Sequence, residues 1–338
     1  MEISVIIPTY KRTRDLDECL GSILAQSELP VEVLVVDNGD DAPTRSLVSR
    51  RKDEFARRGV RLDYLENRQE NSLTVARNLG VKATHGEIII FLDDDVILDK
   101  DYVRGISAVY RKQRQALGVQ GYIKQERFSL KRNFFRRMFC HYHLENNRCR
   151  ALPSVSATYP ARLDRVIGCE WLSGANHSFK RRVYGEFFYD ENLKKYSDGE
   201  DLEFSYRVFK KYPGSLFITP AAKLVHKSSP AGRAAAKEFI YMRQVYGWYL
   251  FCKLFGRGRR DRFCYVWSRA GELGFTLARV LFSKDRKAAF AELKWLAAAF
   301  WYCWRHRNPI KAGRLDFFND TVAGKKTVPA VDNAPPAC

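Results

Sequence analysis

Residues 86–96 read Gly-Glu-Ile-Ile-Ile-Phe-Leu-Asp-Asp-Asp-Val, an apolar run that stops on three consecutive carboxylates. The run Glu87–Leu92 is too short for a helix and shows no polar alternation, which predicts a strand covered on both faces, as in a parallel sheet. Three adjacent carboxylates repel one another and cost stability unless a cation or basic groups compensate. A divalent cation such as Mg²⁺ is commonly held by one or two carboxylates, with a diphosphate supplying further oxygens. A buried strand ending on Asp93-Asp94-Asp95 in a basic chain therefore points to a bound cation rather than a solvated acidic turn.

Outward from this strand the same alternation repeats. Ile3–Pro8 is apolar and β-branched and ends at Pro8-Thr9-Tyr10, and Arg12–Gln26 has helical spacing of Leu16, Leu20, Ile23 and Leu24. Val31–Val36 predicts a strand closing on Asp37-Asn38-Gly39-Asp40; Thr44–Arg58 predicts an exposed helix, Arg61–Leu65 a short strand and Ser72–Thr84 a helix. Strands joined by helical crossovers give an α/β fold with a mostly parallel sheet flanked by helices. Ligands of such sheets bind beyond the carboxyl ends of strands, here Thr9-Tyr10, Asp37 and Asp93–Asp95. From Gly121 to about Ile167 the pattern breaks into a basic, aromatic segment that reads as an insertion or a loop-helix over one edge. Gly199–Lys211 then predicts a helix and Ser215–Thr219 a strand. These boundaries predict a catalytic domain over 1–230, a basic helical region over 231–322 and a frayed tail over 323–338.

The chain has 338 residues and a formal charge of +19, and its 46% hydrophobic content excludes a disordered chain. Residues 1–230 carry 38 basic and 31 acidic side chains, and residues 231–338 carry 20 and 8, so the last third holds most of the excess. Such a field attracts phosphate-rich partners: nucleic acid, anionic lipid headgroups or nucleotides. The longest apolar stretch, Trp295–Trp304, is ten residues, half of what a bilayer requires. With no basic leader at the N-terminus and eight scattered cysteines lacking any C-x-x-C, the expectation is a cytoplasmic chain with reduced thiols. Cys140, His141, His143 and Cys149 lack the paired spacing of a zinc site, and no dinucleotide or P-loop glycine motif occurs.

Six segments in order carry a resemblance: SVIIPTYKR at 4–12, the strand-end Asp37, ARN at 76–78, FLDDD at 91–95, GANHSFKR at 174–181 and GEDLEFSYR at 199–207. Together they resemble the family 2 glycosyltransferases with the GT-A fold, over roughly residues 1–230. The resemblance implies inverting transfer of a sugar from a nucleotide-diphosphate donor to an acceptor hydroxyl. It implies that Pro8, Thr9 and Tyr10 line the nucleoside pocket, that Asp37 bonds the base or ribose edge, and that Arg77 sits beside the nucleotide. Asp93 and Asp95 are the acids of its D-x-D pattern, with Asp95 the leading metal ligand and Asp93 or Asp94 reaching the ribose or a metal-bound water. His226 would complete a site for Mn²⁺ or Mg²⁺. Gly174, Ala175 and Asn176 would form a tight turn by the donor sugar, and Trp171 an acceptor platform. Asp201, with Glu200 as the alternative, would be the general base. Where this family has DDGS, the chain has DNGD at 37–40.

Residues 236–306 predict two or three helices mixing Trp, Tyr, Phe and Leu with Lys and Arg, interrupted by GRGRRDR. This composition suits a membrane-associating region on an anionic surface. It leads to the expectation of a peripheral enzyme on the inner face of the cell membrane, acting on a saccharide acceptor that is lipid-linked, in cell-surface polysaccharide or glycolipid synthesis. The alternatives are a basic nucleic-acid-binding protein, which leaves the acidic triplet and Glu200-Asp201 unexplained, and a non-catalytic membrane-docking relative. No nucleic-acid partner is expected on the leading reading.

Overall fold

In a computed structural model, the described residues are 1–69, 71–124, 129–195, 198–229, 235–256 and 258–322; the expected tail at 323–338 lies outside them. The N-terminal half alternates β1 (Ile3–Thr9), α1 (Thr13–Leu24), β2 (Glu32–Asp37), α2 (Ala42–Arg57), β3 (Arg61–Glu66), α3 (Leu73–Ala83) and β4 (Ile88–Phe91). It continues through β5 (Val96–Leu98), α4 (Tyr102–Lys112) and β6 (Gly118–Ile123). β1, β2, β3 and β4 pair in parallel, in the spatial order β4-β1-β2-β3. β1, β2 and β4 are buried on both faces, which explains their apolar runs, whereas the edge strand β3 is only partly buried. Ile3, Val5 and Ile7 pack with Leu16, Leu20 and Phe55 of α1 and α2. Ile6 and Phe91 point to the opposite core, with Ala76 and Val81 of α3.

The segment after β6 holds more regular structure than its sequence pattern indicates: α5 (Leu130–Met138) and a small sheet of β7 (His143–Glu145), β8 (Ala151–Leu152) and β9 (Ser156–Pro160). The main sheet is completed by β10 (Ile167–Gly168), β11 (His177–Lys180) and β12 (Leu216–His226), with α6 (Glu200–Lys211) preceding β12. β11 inserts antiparallel between β4 and β6, and β12 lies parallel to β6. β12 extends past Thr219, where its register with β6 shifts, and its end pairs antiparallel with β5, so that His226 faces Val96. That pairing decides the site, because Val96 directly follows the acidic triplet.

The C-terminal region is helical as expected: α7 (Ala236–Leu254), α8 (Arg259–Phe282), α9 (Arg286–Arg305), α10 (Arg307–Lys311) and α11 (Asp316–Val322). Its helices are used differently. α7 is buried nearly all round, and Met242, Val245, Tyr246 and Leu250 join Leu193 and Phe318 in a third core. The Tyr246 hydroxyl donates to Asn319 Oδ1 at 2.9 Å and accepts from the Lys194 N–H at 3.1 Å, which ties these helices to the sheet unit. α8 and α9 bury only three residues each, and α5 buries none. No described helix is long and apolar enough to cross a membrane.

Candidate active site

A cleft of about 250 Å³ opens at the carboxyl ends of β1, β2 and β4, lined by Pro8, Thr9, Tyr10, Asn38, Asp93–Asp95 and His226 among others. His226 Nε2 lies 3.0 Å from Asp95 Oδ1 and 3.7 Å from Asp93 Oδ2. The three side chains each offer one ligand atom, all within 4.8 Å of one another. Two carboxylates and an imidazole form a donor set that accommodates Mn²⁺ or Mg²⁺. Burial alone would raise the Asp95 carboxyl, but His226, the Ser229 backbone N–H at 2.8 Å and Arg12 together hold it below the ordinary carboxylate range. It is therefore ionised and ready to ligate at neutral pH.

Asp94 turns the other way. It accepts from Thr9 Oγ1 at 2.7 Å and from Arg12 Nη1 at 3.0 Å, tying the end of β1 to the triplet. Burial pushes its carboxyl up to about 7, against the pull of Arg12 and Thr9. Asp37 also departs from its expected place. It is fully buried, and its two oxygens accept from the Gly39 and Asp41 N–H groups and the Tyr64 hydroxyl, each at 2.8 Å. It orders the DNGD turn, and its neighbour Asn38 is the residue that lines the cleft.

Arg77 is a second correction. Expected beside the nucleotide, it is 1% exposed and lies beneath the floor of the site. Nη1 donates to Glu200 Oε1 at 3.0 Å and Nη2 to the Gly174 carbonyl at 3.1 Å, and Asp93 Oδ1 lies 3.8 Å away. One buried guanidinium thus joins three of the motifs. Gly174 is closely packed: a Cβ there would stand 3.1 Å from Arg77 Nη2 and 3.3 Å from both Asp201 Oδ2 and Glu200 Oε1, so these side chains would have to give way by a few tenths of an ångström. Ala175 accepts the Asp93 N–H at 3.1 Å, and Asn176 is wholly buried, donating to Gly121 O at 3.1 Å. The turn is close-packed as expected, but Ala175 and Asn176 act from within the core.

α6 starts at Gly199, whose φ of +91° favours glycine, and presents Glu200 and Asp201 in its first turn. Asp201 Oδ2 accepts from the Gly174 N–H and Oδ1 from the Leu202 N–H, both at 2.7 Å. The two carboxyls have a single buried counter-ion, Arg77. Burial raises both, their mutual repulsion raises Glu200 further, to about 8, and they titrate as a unit. Glu200 faces Arg77, whereas Asp201 is partly exposed and lines a different cavity of about 300 Å³, whose lining shares no residue with the cleft of the metal-ligand cluster. The wall of this second cavity includes Trp171, whose indole N–H donates to Thr158 O at 3.0 Å.

Thus the structure brings Pro8, Thr9, Tyr10, Asp93, Asp95 and His226 to one cleft and Trp171 and Asp201 to another, joined through Arg77, Gly174 and Glu200. Sequence reasoning missed Arg12, which braces Asp94 and lies 3.6 Å from Asp95 Oδ2, although it stands in the quoted SVIIPTYKR. It also missed Arg243 of α7 and Arg269 of α8 in the second cavity. No short motif marks them; only the packing of the C-terminal helices does. Cys140, His141, His143 and Cys149 do not gather: His143 Nε2 meets Glu145, and Cys149 is buried against Trp171 O.

The profile of "Glycosyl transferase family 2" matches residues 4–168. The chain is 26% identical over 213 residues to the uncharacterized glycosyltransferase EpsJ of Bacillus subtilis (strain 168), covering 62% of this chain and 56% of that one. It is 24% identical over 239 residues to the glucosyl-dolichyl phosphate glucuronosyltransferase of Haloferax volcanii, covering 67% of this chain and 69% of the other. The chain spans just over half the length of EpsJ and a smaller share of the next two curated relatives. Among solved structures, the mannosyltransferase PcManGT of Pyrobaculum calidifontis in complex with GDP-Man and Mn²⁺ superposes with a TM-score of 0.53 at 16% identity, over 96% of this chain and 88% of that one. At that identity the likeness shows the shared fold, the GT-A architecture.

Proposed function

We propose that this chain, which belongs to glycosyltransferase family 2, transfers a sugar with inversion from a nucleotide-diphosphate donor to the hydroxyl of a saccharide acceptor. The observation that carries the reading is the cluster of Asp93, Asp95 and His226 at one end of a buried bridge whose other end is Asp201. The family and the GT-A fold support residues 1–230 as the catalytic unit.

In this reading Pro8, Thr9, Tyr10 and Asn38 bound the nucleoside side of the donor cleft. Asp93, Asp95 and His226 would hold a Mn²⁺ or Mg²⁺ ion, which supplies positive charge against the diphosphate as negative charge develops on it. Asp201 is the general base. It is the member of the pair that faces the acceptor cavity, and it takes the proton from the attacking hydroxyl while two backbone N–H groups hold it in place. Glu200 positions Arg77, and Arg77 holds the Gly174 turn between donor and acceptor.

The acceptor is lipid-linked and met at an anionic membrane surface, the inner face of the cell membrane. The support is the outer face of α5 and α8, where Phe134, Phe263, Leu281 and Phe282 are exposed beside Lys131, Arg132, Arg259 and Arg260. The Haloferax relative, named for a dolichyl phosphate substrate, agrees with this reading.

The test is release of nucleoside diphosphate from a panel of UDP-, GDP- and dTDP-sugars with Mn²⁺ and a bacterial lipid extract as acceptor. Wild type is expected to turn over at least one donor, and Asp95→Asn and Asp201→Asn to do so at least about 10²-fold more slowly; turnover of no donor by wild type refutes the reading. Flotation with anionic vesicles tests the surface: Phe263→Ser/Phe282→Ser should release the protein, and unchanged flotation refutes membrane contact there.

A further inference from the structure

The cavity that holds Asp201 does not end at its polar rim. Arg269 lines it and also lines an adjoining groove of about 200 Å³ between α7, α8 and α9, walled by Trp248, Tyr265, Phe300 and Trp304. Trp304 is 57% exposed and stacks on exposed Trp301 at 4.9 Å, so the groove opens onto the aromatic outer side of α9. The apolar groove and the cavity that holds Asp201 thus share Arg269 as a common wall.

Arg243 and Arg269 meet at this junction, with Asp198 and Asp201 in the same lining. Arg243 and Arg269 share one carboxylate, Glu272, at 3.7 and 3.2 Å, and Arg243 also lies 3.9 Å from the exposed Asp198. Arg136 of α5 adds repulsion to Arg243 from the same side. His141, in the loop after α5, closes the cavity; it is 9% exposed, and its Nε2 has no partner. Burial, then the fields of Arg269 and Arg243, push the imidazolium down to about 4, so at neutral pH His141 is an uncharged imidazole able to donate one N–H into the cavity. A neutral oligosaccharide would leave the guanidinium pair and the apolar groove without a matching group.

We propose that this composite site binds a phosphate-bearing amphiphilic acceptor: Arg243, Arg269 and His141 take the phosphate oxygens, the hydrocarbon chain lies along Trp248, Phe300 and Trp304, and the sugar hydroxyl reaches Asp201. The inference rests on the glycosyltransferase reading and deepens it by naming the acceptor class and its seat. Guanidinium forks suit phosphate oxygens, and the chain gains by leaving water for an aromatic trough that opens where a membrane would lie.

The test is calorimetric binding of geranyl diphosphate, geraniol and inorganic pyrophosphate to the full chain in chelator, so that metal-assisted diphosphate binding at the donor cleft does not contribute. UDP and GDP are titrated separately with Mn²⁺ into each protein. Geranyl diphosphate should bind at least about tenfold tighter than either fragment, as charge-assisted bonds and chain burial add. Arg243→Gln, Arg269→Gln and Trp304→Ser should each lose about tenfold or more while nucleotide affinity is kept. If Arg269→Gln fails to fold, Arg243→Gln and Trp304→Ser decide, since both side chains are exposed. Geraniol or pyrophosphate binding as tightly as geranyl diphosphate, or these variants binding it like wild type, overturns the proposal. Failure of UDP and GDP to bind would instead strike the donor reading.

Discussion

Asp201→Asn separates catalysis from architecture. The carboxylate accepts two backbone N–H bonds at 2.7 Å. Asparagine keeps one acceptor oxygen but turns an NH₂ toward the other N–H, which costs about 1–3 kcal/mol. Against this, removing the negative charge of Asp201 relieves a repulsion that now raises Glu200. The two effects oppose, so the variant should fold with a melting temperature within about 8 °C of wild type. Loss of the base should lower turnover by about 10² to 10⁴, or roughly 3–5 kcal/mol in the barrier. Nucleoside diphosphate affinity should stay within about twofold, because Asp201 lines the other cavity. In wild type the base is lost as pH falls through its raised pKa, so activity should drop on the acid side above the ordinary aspartate range. In the variant that limb should flatten. The assay is turnover against pH with nucleotide binding measured on the same samples. Wild-type turnover in Asp201→Asn, or a flattened limb in Glu200→Gln but not in Asp201→Asn, would refute the assignment.

Arg77→Met should destabilise the fold by about 3–5 kcal/mol at pH 8, since it leaves Glu200 and Asp201 without their buried counter-ion. Both carboxyls titrate above their unfolded values, so the native state binds more protons and the deficit should shrink toward pH 5; a pH-independent deficit in urea unfolding contradicts this. Gly174→Ala places a Cβ 3.1 Å from Arg77 and 3.3 Å from Asp201; it should cost about 1–3 kcal/mol and lower turnover more than nucleotide affinity, and unchanged turnover would show that the turn has slack. His226→Ala should weaken Mn²⁺-dependent nucleotide binding by about tenfold or more while the melting temperature without metal holds, and equal binding removes it from the ligand set.

The sheet was readable because its central strands are buried on both faces, so Ile3–Pro8 and Glu87–Leu92 are apolar without interruption and end where the ligand cleft begins. The acidic triplet was readable as a candidate cation site because three carboxylates after a buried strand require compensation, and Asp93 and Asp95 do meet His226. The antiparallel β11 was not: four residues reading His-Ser-Phe-Lys carry no strand period, and they pair only because β4 and β6 flank them. Arg77 misled because arginine is rarely fully buried, so an arginine near a phosphate site reads as a ligand rather than a brace. Asp37 likewise stands at a strand end but is buried, with three donors inside the protein on its carboxylate, a placement its sequence position does not reveal. α7 shares the aromatic and basic composition of α8 and α9 yet is core, a difference set by packing on Leu193 and Phe318. The arginines of the cavity that holds Asp201 come from helices some 40 to 130 residues from Asp201 and His141 in sequence, and no local pattern encodes them.

Calorimetric titration of UDP and GDP into wild type and Asp95→Asn, each with Mn²⁺ and with chelator, tests the convergence of Asp93, Asp95 and His226 on a cation-bound pyrophosphate most directly. At least one nucleotide should bind wild type with Mn²⁺ and lose about 100-fold or more in affinity in chelator or in Asp95→Asn. Binding that is equal with and without metal and indifferent to Asp95, or no binding of either nucleotide, would contradict it.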